Sequence, residues 1–192
     1  MGKITLSIRA QIVSFVNLNH LGLSKSLRQS LEGPKTTKKF ADCCKFPETI
    51  DDAIFEKCEK DFPRPQTPGP KKGCCMSECV LNATGILVNK VIDKAVAEIV
   101  FTAKLTNGTE KKIVKDALEY CIKEGANMKD DFDEMAKDVV PGEVVCNMIS
   151  GFMIICIRGQ IYKNCPSEKY SKDVAECVTI KNYVEKCGFL LP

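Results

Sequence analysis

The chain has 192 residues, with 44% hydrophobic and 28% charged side chains and a formal net charge of +3. That is the balance of a globular protein with its own core, not of a disordered chain. Twelve cysteines with no C-x2-C pair, and one histidine, His20, in the whole sequence, exclude the usual zinc ligand sets and read as a disulfide framework formed in an oxidising compartment.

Charge is divided along the chain. Residues 1–40 hold Lys3, Arg9, Lys25, Arg28, Lys35, Lys38 and Lys39 against Glu32 alone, a net of +6, which leaves −3 for residues 41–192. All the cysteines lie in that acidic part. It has no basic stripe, so nucleic acid is not an expected partner. The opening stretch MGKITLSIRAQIVSFVNLNHLGL has the basic start of a signal sequence, but Arg9, Gln11, Asn17, Asn19 and His20 interrupt its apolar run. It is also too interrupted for a membrane span, which needs about 18 apolar residues in a row. Residues 1–40 are therefore expected to be a degraded leader or a misassigned start outside the fold, and residues 41–192 a single helical domain.

PETIDDAIFEKCEKDF (47–62) places Ile50, Ile54, Cys58 and Phe62 at four-residue steps, one face of a helix that opens at Pro47. PRPQTPGPKKG (63–73) holds four of the nine prolines and reads as an extended linker. A short helix is expected over 74–85, ended by Gly85. A longer one covers 88–105, with Val88, Ile92, Ala95, Val96 and Ile99 on one stripe. After the turn TNGT (106–109), a helix over 110–125 carries Ile113, Ala117, Leu118, Cys121 and Ile122, with Gly125 past its end. Residues 128–142 are acidic and weakly helical. Residues 142–165 are apolar nearly all round from Val144 to Ile157, as in a helix buried on most sides. Two short helices, 171–177 and 179–187, and the apolar tail Phe189-Leu190-Leu191 complete the chain. There is no period-two strand pattern. The fold class is all-α.

The cysteines sit on these helices, which means helix-to-helix staples. Cys75 and Cys79 are four apart and face the same way. In a helix nine residues turn the chain by about 900°, so Cys156 and Cys165 face opposite ways and must bond to different neighbours. From Cys75 the spacing runs C-x3-C-x41-C-x24-C-x9-C-x8-C-P-x10-C, through Cys79, Cys121, Cys146, Cys156, Cys165-Pro166 and Cys177. This resembles the insect odorant-binding proteins, in particular their Plus-C subgroup, over roughly residues 43–187. The resemblance implies a compact, disulfide-stapled bundle of six or more helices around an apolar cavity. It implies a secreted carrier of small hydrophobic, odorant-like ligands in chemosensory lymph, without catalysis or cofactor. An odorant receptor or a second copy of the chain would be its protein partners. Carried over by position, the family's core bridges would pair Cys58 with Cys79, Cys75 with Cys156, and Cys121 with Cys165. For the first of these Cys44 is an alternative to Cys58. Cys43, Cys44, Cys74, Cys146, Cys177 and Cys187 would form three more bridges of unassigned pairing.

Within that expectation the cavity is built on the apolar helix, through Met148, Phe152 and Met153. Ile92, Val96, Ile99 and Leu118 supply complementary stripes, and Phe189 in the tail folds over an opening. The thioethers suit a pocket that adapts to several ligands. The competing class is a secreted helical protein with a solid core that engages a protein partner. Enzyme chemistry has no support. The histidine that a secreted phospholipase places after a paired cysteine is missing, because Met76-Ser77-Glu78-Cys79 follows Cys74-Cys75. No metal site is read. Two glycosylation sequons occur, Asn82-Ala83-Thr84 and Asn107-Gly108-Thr109, and Asn107 is the better placed because it sits in a turn.

Overall fold

In the computed structural model the described residues are 40–62, 70–137 and 144–187. The expected leader, Phe40 apart, and the tail residue Phe189 lie outside them. The described residues form eight helices and one two-stranded sheet, an all-α architecture. They divide into two compact units. The larger covers Pro47–Ile157, and the smaller consists of residues before Pro47 and after Ile157.

In the smaller unit a four-residue helix, α1 (Phe40–Cys43), leads into an extended stretch that meets residues 169–171. Lys45 donates to the Lys169 carbonyl at 3.0 Å and Ser171 N to the Cys43 carbonyl at 2.9 Å. Cys43 bonds to Cys177 and Cys44 to Cys165.

The larger unit opens with α2 (Asp52–Asp61), capped by Asp51, whose carboxylate accepts from Ala53 N at 3.1 Å. The helix thus begins five residues later than Pro47, because the cap and not the proline fixes its start. Next comes α3 (Pro70–Ala83). It takes Pro70 as its first residue, where a missing N–H costs nothing, so part of the expected linker is helical. Gly85, at φ +73°, turns the chain out of the helix.

The expected helix over 88–105 is corrected at its front half. Strands β1 (Leu87–Val88) and β2 (Val91–Ile92) pair antiparallel, with Leu87 opposite Ile92 and Val88 opposite Val91. Asn89 and Lys90 make the turn at φ 51° and 65°, the sign a two-residue hairpin turn requires at both positions. Helix α4 starts only at Lys94 and runs to Thr102, capped by Asp93, which accepts from Val96 N at 3.0 Å.

Helix α5 (Gly108–Asn127) is capped by Asn107, and α6 (Lys129–Lys137) follows it directly. Gly125 lies inside α5 and is buried, not past its end. The apolar helix, α7, covers Met148–Lys163. Val144 and Val145 ahead of it are exposed and non-helical. The division between the two units falls inside α7, after Ile157. The two short helices expected near the C-terminus are one, α8 (Ala175–Cys187).

Three bridges hold the larger unit: Cys58–Cys79 joins α2 to α3, Cys75–Cys146 joins α3 to the segment before α7, and Cys121–Cys156 joins α5 to α7. Two expected pairs are thereby corrected. Cys75 bonds to Cys146, not Cys156, and Cys121 to Cys156, not Cys165. The physical reason is where α7 begins and ends. Cys146 precedes the helix and lies against α3. Cys156, in mid-helix, is bonded to α5. Cys165 comes after the last helical residue and reaches Cys44. The interlocked order is the one expected, shifted by one cysteine along the chain. Cys156 and Cys165 do take different partners.

The smaller unit has its own core. Tyr162, Ile180 and Val184 are packed with both of its bridges, and Phe46, Tyr170, Val174 and Tyr183 close over them. Tyr162 is completely buried and donates its phenol to the Cys177 carbonyl at 3.0 Å. Its ring meets that of Tyr170 edge-on at 6.1 Å.

Candidate functional site

Among the residues of α7 only Arg158 and Lys163 are exposed. A helix that is apolar all round stays soluble only when neighbours cover it on several sides. Its sequence, MISGFMIICIRGQIYK, combines β-branched isoleucines, two methionines and two glycines. Glycine and β-branched residues are mediocre helix formers, so packing and anchors must fix this helix.

The anchors gather at its first turn. Asn147 caps it, its side-chain oxygen accepting from Ile149 N at 3.0 Å. The Asn147 backbone N–H donates to Glu78 Oε2 on α3 at 2.6 Å, and its Nδ2 donates to the Lys90 carbonyl in the hairpin turn at 3.2 Å. Cys146, one residue earlier, is bonded to Cys75. Glu78 lies three residues after Cys75, so one face of α3 presents both a sulfur and a carboxylate to this segment. Two turns further along, Cys156 ties α7 to Cys121 of α5.

Between these anchors α7 meets α5 and α6 through apolar groups. Gly125, four residues after Cys121, has no side chain, and Ile149 and Phe152 of α7 fill that place. A Cβ at Gly125 would lie 3.3 Å from Ile149 Cδ1 and 3.4 Å from Phe152 Cε1. The ring of Phe132 on α6 stands 5.7 Å from that of Phe152, tilted by 52°, a normal aromatic pair. Met128, where α5 gives way to α6, is buried as well.

Of the residues expected to line a pocket, Met148 and Met153 are buried and Phe152 is half-buried, all on α7. Leu118 is buried on α5, one turn before Cys121. Val96 on α4 and Ile92 in β2 are half-buried. Ile99 is not part of any such site, because 68% of it is exposed. The true stripe of α4 is the one carrying Ala97 and Phe101, which are buried. Phe189 lies outside the described residues.

The sequence reading missed Gly125, Phe132 and Ile149. Gly125 carried a signal, since it repeats Cys121 at a four-residue step. Phe132 follows Met128 at the same step, inside a segment whose acidic residues outnumber its apolar ones.

The groups gathered here are aliphatic, aromatic and thioether side chains. They offer dispersion contacts. One polar atom breaks the pattern: Ser150 is wholly buried in the first turn of α7, and its Oγ has no hydrogen-bond partner among the described residues. Among those residues no group of three His, Cys, Asp or Glu is placed to hold a metal, and no helix is long and apolar enough to cross a membrane.

Comparison with known proteins bears on this arrangement. The AgamOBP47-like family matches residues 47–183, a span that contains all three bridges of the larger unit. Odorant-binding protein 47 of Anopheles gambiae is 29% identical over 169 residues, covering 83% of this chain and 74% of that protein. General odorant-binding protein 67 of the same species is 25% identical over 161 residues, covering 77% of this chain and 74% of that protein.

Proposed function

The chain belongs to the AgamOBP47-like family of insect odorant-binding proteins, and from that membership we propose that it is an extracellular carrier of small hydrophobic ligands. Family membership is the observation that carries this reading; the apolar, thioether-lined surroundings of α7 support it. Binding is by exclusion of apolar surface from water, worth roughly 25 cal/mol per Å2 removed. Methionine side chains such as Met148 and Met153 adapt to ligands of different outline. The ligand site lies along α7 between Met148 and Met153 and includes Phe152, with Gly125 and Phe132 behind it.

The interlocked bridges keep the helices of this site in register when a ligand enters or leaves. Ten of the twelve cysteines are paired among the described residues, which fits an oxidising, extracellular setting such as chemosensory lymph. The cargo is carried unchanged: this is a binding protein and not an enzyme. Its place in the Plus-C subgroup rests on the C-x9-C-x8-C-P run from Cys146 to Pro166.

The test is a titration with a fluorescent apolar probe followed by displacement with volatile alcohols, esters and terpenes. Saturable binding at one site per chain, reversed by at least one of these, is the expected outcome. A probe signal that rises without saturation, or that no apolar compound displaces, would instead favour a protein with a solid core that engages another protein.

A further inference from the structure

The two sequons stand in opposite surroundings. Asn82-Ala83-Thr84 belongs to the end of α3. Asn82 is in the final helical turn, where its carbonyl accepts from Gly85 N at 3.0 Å. The Thr84 hydroxyl is turned inward, donating to the carbonyls of Val80 and Leu81 at 2.9 and 3.1 Å. The helix that carries them is fixed by Cys75–Cys146 and Cys58–Cys79. An enzyme that reads an asparagine amide together with a hydroxyl two residues on must draw the chain into its own cleft. Here that would unwind a stapled helix end and break both bonds of the threonine.

Asn107-Gly108-Thr109 is the reverse case. Residues 106–109 are all exposed, Thr106 and Asn107 in the connection from α4 to α5 and Gly108 and Thr109 in the first turn of α5. Asn107 is extended, at φ −81° and ψ 128°; its backbone carbonyl accepts from Lys111 N at 3.1 Å and its carboxamide oxygen from Thr109 N at 2.8 Å. The nitrogen, which is the atom a glycan would be joined to, is not used in that bond. A Cβ at the middle residue, Gly108, would meet nothing within 4 Å, so the space around the sequon is open. Surface loops of secreted proteins are where such acceptors are modified.

We propose that Asn107, and not Asn82, is an N-glycosylation site of the secreted protein. The donor is an oligosaccharide linked to a lipid through pyrophosphate. A bond forms from Asn107 Nδ2 to the anomeric carbon, and the bond from that carbon to the pyrophosphate oxygen breaks. Its electron pair leaves with the lipid pyrophosphate, and one amide proton passes to solvent. This inference rests on the secretory route assumed in the proposed function, but not on ligand binding.

The experiment is expression of the full chain behind a heterologous cleavable signal sequence in a eukaryotic host. Intact mass is measured before and after enzymatic deglycosylation, and peptides are mapped in heavy-oxygen water, which marks a released site as aspartate. The expected result is one glycan, on the peptide holding Asn107. It should be lost in Asn107→Gln and in Thr109→Ala and retained in Asn82→Gln. An unmodified Asn107 in chain recovered from the medium or from the secretory lumen overturns the proposal, as does equal or higher occupancy at Asn82. A glycosylated chain that binds no apolar probe would leave this inference standing and remove the carrier function instead.

Discussion

Replacing Cys43 and Cys177 by serine should cost much less than the length of the loop they close suggests. Cys43–Cys177 and Cys44–Cys165 span 134 and 121 residues, and the chain-entropy relation assigns about 5 kcal/mol to a loop of either length. Their first cysteines are neighbours, however. With one bridge intact, the other closes only a further loop of about 13 residues, the difference between the two separations, worth about 3 kcal/mol. Removing either pair alone should therefore cost about 3 kcal/mol. Removing both should cost about 7, because Cys58–Cys79 and Cys75–Cys146 already shorten the path from Cys44 to Cys165 to about 37 residues, a closure worth about 4 kcal/mol, so the two losses are coupled by about 1 kcal/mol. The assay is urea unfolding without reductant, followed by near-ultraviolet circular dichroism. The chain has no tryptophan and four tyrosines, and Tyr162, Tyr170 and Tyr183 all belong to this unit's core, so the signal reports on it directly. A quadruple variant whose tyrosine signal is gone before urea is added agrees with the account. Either pair alone costing the full 5 kcal/mol, or a quadruple cost equal to the sum of the two pairs, would refute it.

Three further outcomes are expected. Tyr162→Phe removes the buried bond to the Cys177 carbonyl and should cost about 1–2 kcal/mol. Burial foremost, then Tyr170, raises the phenol of Tyr162 above its ordinary value. A group that holds its proton more tightly when folded stabilises the protein fully below its unfolded pKa, about 10. Urea midpoints should therefore fall as the pH rises above that value, and fall less steeply in Tyr162→Phe; equal slopes would contradict the assignment. Met148→Trp or Gly151→Phe should weaken probe binding while the melting temperature stays near that of the wild type. Unchanged affinity with a strongly lowered melting temperature would place both positions in solid core, where overpacking costs about 1–3 kcal/mol. Thiol titration of the denatured, unreduced protein should find no reactive sulfhydryl, and two or more would contradict a fully bridged framework.

Apolar periodicity in the sequence located most of the helices but started α4 and α7 too early, for the same reason in both. Val88 and Val91 continue the stripe of α4 backward, and Val144 and Val145 continue that of α7, so pattern alone extends both helices. In the structure all four valines are exposed, and each helix begins where an Asp or Asn side chain caps it. Asp51, Asp93, Asn107 and Asn147 each accept from a backbone N–H two or three residues on. These caps were readable, because short polar side chains before an apolar run mark helix starts. The pairing implied by the resemblance gives its last two places to Cys156 and Cys165, and the structure gives them to Cys146 and Cys156. Ile99 lies off the buried face of α4 for a related reason: only a register that runs back through the hairpin lines it up with Val88 and Ile92. Gly125 repeats Cys121 at a four-residue step, but whether a glycine ends a helix or admits a neighbouring side chain depends on what packs there, here Ile149 and Phe152.

The central claim is that an apolar ligand lodges along α7, and the six methionines make it directly measurable. Carbon-13 labelling of their methyl groups places reporters at Met148 and Met153 on α7, at Met128 beside α5 and α6, and at Met76 on α3. Two-dimensional spectra are recorded while the best displacing compound is titrated to saturation. The account predicts that the methyl signals of Met148 and Met153 shift together along one saturation curve, while that of Met76 stays in place. Saturation of the probe-displacement assay with both α7 methyl signals unmoved, or with shifts confined to other methionines, would contradict it.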